Sequence, residues 1–270
     1  MSERPSRAVI TDPDPMPETS ADRNDHRAAA GDSYSEIMSF GQQRLWVLDK
    51  LLPDRSVYNT PTVQRLIGRL DVAALETSIG EILNRHDVLR TRFVVIDGEP
   101  RQLVAPPEPL RLQIDDLSAL SADMREGEAR QLAEAFCRVP FDLERGPLFI
   151  ARLLRLGADQ HWLLLNMHHI VTDHWSSSIF SRELAAVYEA FDRGLPSPLR
   201  ALPVQYADFA VWQREWLQGP VLERHLDYWR GALADLPALE LPFDRPRPAV
   251  ASARGGRVRF TIDPTLTFAL

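Results

Sequence analysis

Large apolar residues recur along this chain in two periods. Residues 162–165 form a short apolar run, Trp-Leu-Leu-Leu, bounded upstream by Gly157 and Asp159, and read as a buried strand. Beyond it, Ile179, Phe180, Leu184, Val187, Tyr188 and Phe191 return on one face of a 3.6-residue period until Gly194 stops the run, which predicts a helix. Between strand and helix stand two adjacent histidines, His168 and His169, followed four residues later by Asp173 in the turn that opens the helix. A rigid scaffold commonly presents chemistry at such a junction.

The same two periods place the other elements. A helix runs over residues 40–52 with Phe40, Leu45, Leu48 and Leu52 on one face, and Pro53 ends it. Order is expected to begin at Ser39. Residues 62–67 have strand character, and Asp71 caps a helix carrying Val72, Leu75, Ile79, Ile82 and Leu83. Gly80 inside that helix costs about 1 kcal/mol against alanine and suggests close packing. Asp97-Gly98 predicts a two-residue hairpin between strands at 93–96 and 102–104. Leu110, Leu112 and Ile114 alternate as a strand does, and a helix follows over 122–138. A strand at 149–156 turns antiparallel at Gly157-Ala158-Asp159 into the one that ends at His169. Phe209, Trp212 and Trp216 share a helix face, which core packing accounts for. Gly219-Pro220 restarts a helix with Leu222, Leu226, Trp229 and Leu233 inward. Residues 237–248 form a proline-rich crossing segment and 258–262 a last strand. Strands interleaved with helices on one face imply an α/β fold, a two-layer sandwich of mixed sheet and helices.

Composition narrows the class. The chain has 270 residues, 44% hydrophobic and 26% charged, enough for one large domain or two lobes. A formal charge of −7 argues against a nucleic-acid binder, which would need a basic face, although local patches are invisible in a net charge. Cys137 is the single cysteine, so no intrachain disulfide forms and a cytoplasmic setting is natural. Neither a membrane-spanning run nor a signal peptide is expected. Residues 1–34 hold four prolines, many charges and few large apolar groups, which predicts a disordered leader, a linker or a docking segment.

Three chemistries fit the histidine stretch. It can be a plain strand-to-helix turn with Asp173 as N-cap. It has the ligand types of a metal site, but neighbouring residues on a strand face opposite ways, so His168 and His169 do not easily share an ion, and none is expected. Or one histidine moves a proton near neutral pH.

His168-His169-x-x-x-Asp173 with Trp175-Ser176 resembles the HHxxxDG signature of condensation domains in nonribosomal peptide synthetases, whose superfamily includes chloramphenicol acetyltransferase. Three further stretches resemble that family's motifs, in the family's order: residues 39–48 (SFGQQRLWVL), 84–93 (NRHDVLRTRF) and 204–212 (VQYADFAVW). Gly41 replaces the usual alanine, Asp87 a glutamate and Phe209 a tyrosine. The likeness spans about residues 35–270. It implies a chloramphenicol acetyltransferase-like fold, with residues 35–200 as the N-terminal lobe and 201–270 as crossing helices and an incomplete second lobe. The first motif is most similar to domains joining L-configured donors to L-configured acceptors.

The resemblance further implies an acyltransferase that forms amide bonds in antibiotic and other secondary-metabolite synthesis. An acyl or peptidyl group would pass from one carrier-bound thioester to the amine of the next carrier-bound amino acid. Both substrates would ride on phosphopantetheine arms of upstream and downstream peptidyl carrier domains, beside an adenylation domain, with no cofactor bound directly. It assigns His169 as the group that accepts a proton or positions the amine and His168 as structural. Asp173 would be held by an arginine, Arg85 or Arg90. His174, Trp175, Ser176 and Trp212 become candidates for lining the tunnel. The family favours glycine where His174 stands, so its imidazole either narrows the tunnel or adds a proton donor. Without the second lobe the chain is expected to be inactive alone. A noncatalytic platform of the same fold that binds carriers or a trans-acting enzyme is the alternative, and a coenzyme A-dependent acyltransferase fits the first and fourth motifs less well.

Overall fold

The computed structural model describes residues 33–246, 258 and 260–270. Of the expected leader, residues 1–32 lie outside the described residues, as do the last two residues of the expected proline-rich segment. Tyr34 belongs to a strand that sequence periodicity missed. That strand, β1 (Tyr34–Ile37), is four residues long, too short to show a period. It pairs antiparallel with β4 (Glu99–Val104), which pairs with β3 (Thr91–Ile96), giving a three-stranded sheet in the order β1-β4-β3. The β3–β4 turn is the expected two-residue hairpin. Asp97 and Gly98 take φ of 53° and 81°, the pair of positive values that matches the twist of the flanking strands.

A four-stranded sheet runs in the order β2 (Thr62–Ile67), β7 (Gln160–Met167), β6 (Phe149–Gly157), β5 (Gln113–Asp116). Only its β5–β6 pair is parallel. Every residue of β7 except Gln160 is buried, which explains the unbroken apolar run: both faces of the strand are covered. On one face lie α2 (Val72–Arg85) and α4 (His174–Asp192), whose Ile79, Ile82, Phe180 and Leu184 pack with Leu153, Leu163 and Leu165. The reverse face carries α3 (Ala122–Cys137), whose Ala129, Ala133 and Phe136 meet Leu154, Trp162 and Leu164.

The first helix, α1 (Phe40–Leu51), opens on a reciprocal cap. The Ser39 hydroxyl accepts from Gln42 N at 3.1 Å, and Gln42 Oε1 accepts from Ser39 N at 2.9 Å. Later in the chain, α5 (Tyr206–Trp216) docks on that cap. Tyr206 and Ser39 share a hydroxyl–hydroxyl bond of 3.0 Å, Phe40 N donates to Gln213 Oε1, and Arg214 donates to Met38 O while lying over the Phe40 ring.

Four expectations change. Leu110 and Leu112 precede β5 rather than belong to it, because Leu112 N donates to Glu76 Oε2 on α2 instead of to a strand. The helix α6 (Gly219–Ala232) buries none of its residues, and Leu226, Trp229 and Leu233, expected inward, are exposed. No core element among the described residues covers that stripe. Val258 and residues 260–262 are exposed coil rather than a strand, since no partner strand among the described residues receives their ladder; a short helix, α7 (Pro264–Ala269), follows. Finally, Gly80 is not closely packed: a methyl built there meets only Leu110 Cβ, at 4.0 Å. Among the described residues no helix is long and apolar enough to cross a membrane.

Because the site tolerates a methyl, Gly80→Ala gains helix propensity without overpacking. The variant should be about 0.5–1 kcal/mol more stable, read as a higher urea midpoint at unchanged slope. A lower midpoint would show that the neighbourhood of Leu110 cannot accept it.

Candidate functional site

The histidine loop begins where β7 runs out of ladder. Past Met167 the chain is still held by backbone bonds to a neighbouring segment: Thr60 N donates to Met167 O at 2.8 Å and His169 N to Tyr58 O at 2.8 Å. His168 N donates to Leu148 O at 3.0 Å, and Asn59 bridges to His168. The carboxamides of Asn59 and Asn166 in turn donate to the last carbonyls of α3 and the residues after it, Phe136 O, Cys137 O and Val139 O. These bonds cap α3 and tether the strand end beside the histidines.

The two imidazoles have opposite roles. His168 is fully buried, and its Nδ1 accepts from Ile170 N at 3.1 Å. The proton of the neutral ring therefore sits on Nε2, which has no hydrogen-bond partner among the described residues, and the ring lies beside those of Tyr58 and Phe141. Burial pushes its pKa down to about 4, against an opposing pull from the Asp49 carboxylate, so it is neutral near pH 7. His169 is exposed. Its Nδ1 lies 2.6 Å from the Thr172 carbonyl oxygen. A carbonyl only accepts, so Nδ1 carries the proton and Nε2 keeps a free lone pair.

Asp173 caps α4, accepting from Ser176 N at 2.7 Å and Ser176 Oγ at 2.6 Å. The Ser176 hydroxyl, then its amide, hold the carboxyl below its ordinary pKa, and the neighbouring His169 adds to the effect. The arginine expected to hold Asp173 does not. Arg85 Nε pairs with Glu183 at 3.2 Å, ten residues further along α4, and Arg90 pairs with Asp87 at 2.6 Å. The N-cap position turns Asp173 toward the first amides of its own helix, while Glu183 lies on the face packed against α2.

His169, Thr172, Asp173 and Ser176 line a cavity of about 380 Å³. Its other walls come from the three remaining motifs: Gly41, Gln42 and Leu45 from α1, His86, Val88 and Leu89 from the turn after α2, and Val204, Gln205 and Tyr206 at the start of α5. Gly41 has room for a side chain, the nearest atom to an added methyl being Ser39 Oγ at 3.8 Å, so its absence widens the cavity rather than relieving a clash. Three of the expected tunnel residues are elsewhere. His174 and Trp175 stand exposed in the first turn of α4, and Trp212 is stacked between Phe209 and Trp216, with centroid distances of 5.8 and 5.4 Å.

Sequence reasoning missed the residues that hold these walls together. Glu183 Oε2 also lies 2.6 Å from His86 Nε2, joining the second motif to α4. The Gln205 carboxamide accepts from Asp87 N at 3.2 Å and donates to Arg85 O at 2.9 Å, joining the second motif to the fourth. A signal for Glu183 existed: a carboxylate between Phe180 and Leu184 on an otherwise apolar face needs a partner.

The motifs found in order along the chain thus meet at one cavity, and comparison with known proteins agrees. The profile of the condensation-domain family matches residues 35–270. One polypeptide of the linear gramicidin synthase of Brevibacillus parabrevis is 49% identical over 219 residues, which are 81% of this chain and 3% of that protein. Phosphinothricin tripeptide synthetase PhsC of Streptomyces viridochromogenes is 43% identical over 234 residues, 86% of this chain and 22% of its own length. Among solved structures, the X-domain from teicoplanin biosynthesis superposes with a TM-score of 0.70 at 32% identity, covering 81% of this chain and 48% of that one. The first condensation domain of the CDA synthetase gives 0.66 at 26%, covering 76% and 51%. The chain therefore spans about half the length of the solved domains it matches and a small part of these synthetases. With a family profile over nearly all of the described residues and the fold of solved condensation domains, this chain belongs to the condensation-domain family.

Proposed function

We propose that this chain contributes the histidine-bearing half of a domain that forms amide bonds in nonribosomal peptide synthesis. The observation that carries the reading is the 2.6 Å contact between His169 Nδ1 and Thr172 O, which commits Nδ1–H to the carbonyl and leaves Nε2 as a base at the wall of the cavity. The substrates are an acyl or peptidyl thioester on one carrier domain and an aminoacyl thioester on the next, each on a phosphopantetheine arm. The neutral amine nitrogen attacks the thioester carbonyl carbon. As the C–N bond forms, the nitrogen proton passes to His169 Nε2. The tetrahedral intermediate then collapses, the C–S bond breaks, and the proton goes on to the departing sulfur. A free α-amine has a pKa near 8, so about a tenth of it is already neutral at pH 7. Orientation therefore contributes alongside proton transfer. Asp173, ionised and close to His169, favours the transient imidazolium. Adenylation and carrier domains of one synthetase are the partners, a reading supported by the synthetases to which the chain is similar.

In a synthetase module carrying the whole domain, His169→Ala should lower dipeptidyl-carrier formation about 10²-fold or more while the melt stays unchanged. Turnover near that of the parent would refute the assignment.

His168 has the opposite signature, visible in stability. Its folded pKa of about 4 lies below the unfolded value near 6.5, so the unfolded state takes up a proton first as pH falls. The stability it confers is full above about pH 6.5 and is lost progressively down to about pH 4, by roughly 3 kcal/mol. His168→Asn keeps an acceptor for Ile170 N and removes the titration. Its stability should fall less steeply over that window, and an unaltered slope in urea titrations at stepped pH would contradict the burial argument.

Asp173→Ala removes the cap of α4 and should cost about 1 kcal/mol. Its melting temperature should drop by more than that of His169→Ala. Equal melts with lost turnover would instead make Asp173 a direct participant.

A further inference from the structure

A second groove, about 430 Å³ in volume, shares Leu89 as a wall with the His169 cavity and contains none of the signature residues. Its floor is apolar, built from Leu83, Leu89, Leu110 and Leu148. Four arginines line it, Arg90, Arg92, Arg111 and Arg145, against one carboxylate, Glu108, in a chain whose formal charge is −7.

The four cations differ in how far they are already satisfied. Arg90 is committed, to Asp87 and to the carbonyls of Leu83, Asn84 and Ala105. Arg111 and Arg145 are nearly fully exposed, and their carboxylate partners, Glu76 and Asp142, stand off at 3.9 Å. Pairs of that kind contribute little and leave both side chains free to swing. Arg92 is the exception. Its stem is pressed against Gly146, where a Cβ would lie 3.2 Å from Arg92 Cγ. Its Nε is buried with no acceptor, and among the described residues it makes no ion pair. Arg92 itself lines the groove, and among the described residues no carboxylate there neutralises its charge, so an oxyanion in the groove would find an uncommitted guanidinium.

We propose that this groove is a binding site for a small organic oxyanion, a phosphate or carboxylate head on an apolar body, with Arg92 as the head-group ligand. The apolar body lies on Leu83, Leu110 and Leu148. The head meets Arg92, and Arg145 or Arg111 closes on it from the rim. Guanidinium forks match both head groups in planar, two-bond geometry. The volume falls in the range of small-molecule sites, about 300–1,000 Å³. The assignment uses no residue of the His169 loop, although Leu89, Arg90 and Arg92 belong to the second motif.

The test is calorimetric titration of the full 270-residue chain with phenyl phosphate, phenylacetate, benzyl alcohol and inorganic phosphate, with backbone amide spectra to locate binding. One of the two aryl anions should bind at least about tenfold tighter than benzyl alcohol and than inorganic phosphate, and should shift amides around Leu89, Arg92 and Leu110. The stronger of the two identifies the head group. Arg92→Gln, which keeps the packed stem, should abolish the advantage of the anion over the alcohol. Leu110→Trp, which fills the floor, should abolish binding altogether, and folding of both variants is checked by their melts. Equal binding of alcohol and anions, an unaltered affinity in Arg92→Gln, shifts confined to another surface, or no binding at millimolar concentration would each overturn the proposal. If neither variant folds, the wild-type comparison of anion with alcohol still decides.

Discussion

Ile170 N–H donates to Nδ1 of a histidine that has no exposed surface, and much of the site follows from that bond. It forces the His168 proton onto Nε2 and keeps the ring neutral inside the core. It also sets the course of the chain: with His168 turned inward and its amide bonded to Leu148 O, the next side chain leaves toward the cavity. Three residues on, the Thr172 carbonyl returns to Nδ1 of His169 and fixes the opposite tautomer. One short loop thus holds two imidazoles in complementary states, one packed in the core and one at the cavity wall with Nδ1 bonded to Thr172 O. Neither state requires a carboxylate partner, which leaves Asp173 free to serve the helix that follows.

The cavity around His169 is assembled by polar side chains that reach between elements. Glu183 takes both Arg85 and His86, and Gln205 spans from Asp87 N to Arg85 O. These groups are half-buried, where a pair that is satisfied on both sides is worth keeping and one deprived of its partner is costly. The Ser39–Gln42 cap completes the arrangement, since the same serine that starts α1 meets Tyr206 at the start of α5. Positioning in this protein is therefore distributed over α1, α2, α4 and α5, none of which could hold the cavity alone.

At the other extreme, Leu226, Trp229 and Leu233 of α6 and Phe260 and Phe268 further on expose their apolar surface. The α6 residues recur with the period of a buried face, and the solved relatives are about twice as long as the matched region. Within the described residues these side chains gain little burial. Their contribution to stability here is small compared with that of Ile79 or Leu164, which lose all contact with water.

Much of the fold was legible in order along the chain. The Trp162–Leu165 run, the Asp71 and Asp173 caps, the Asp97-Gly98 hairpin and the helix from His174 onward are set by contacts within a few residues, where side-chain period and capping chemistry act. The motifs also located the histidine loop. Strand β1 was too short to show a period, and the strand expected at residues 258–262 failed because a strand is completed only by a neighbour that local sequence does not supply. The same limit applied to partners. An arginine was expected for Asp173, yet Arg85 goes to Glu183, 98 positions away, and Asp173 goes to Ser176, three positions away. Spacing and capping residues determined that α1 to α6 would form and about where each would begin, whereas α7 was not foreseen. Which arginine meets which carboxylate, which nitrogen of His169 keeps its lone pair and which side chains line the cavity were decided by tertiary structure, because hydrogen bonds and ion pairs act over a few ångströms and only folding brings their members that close.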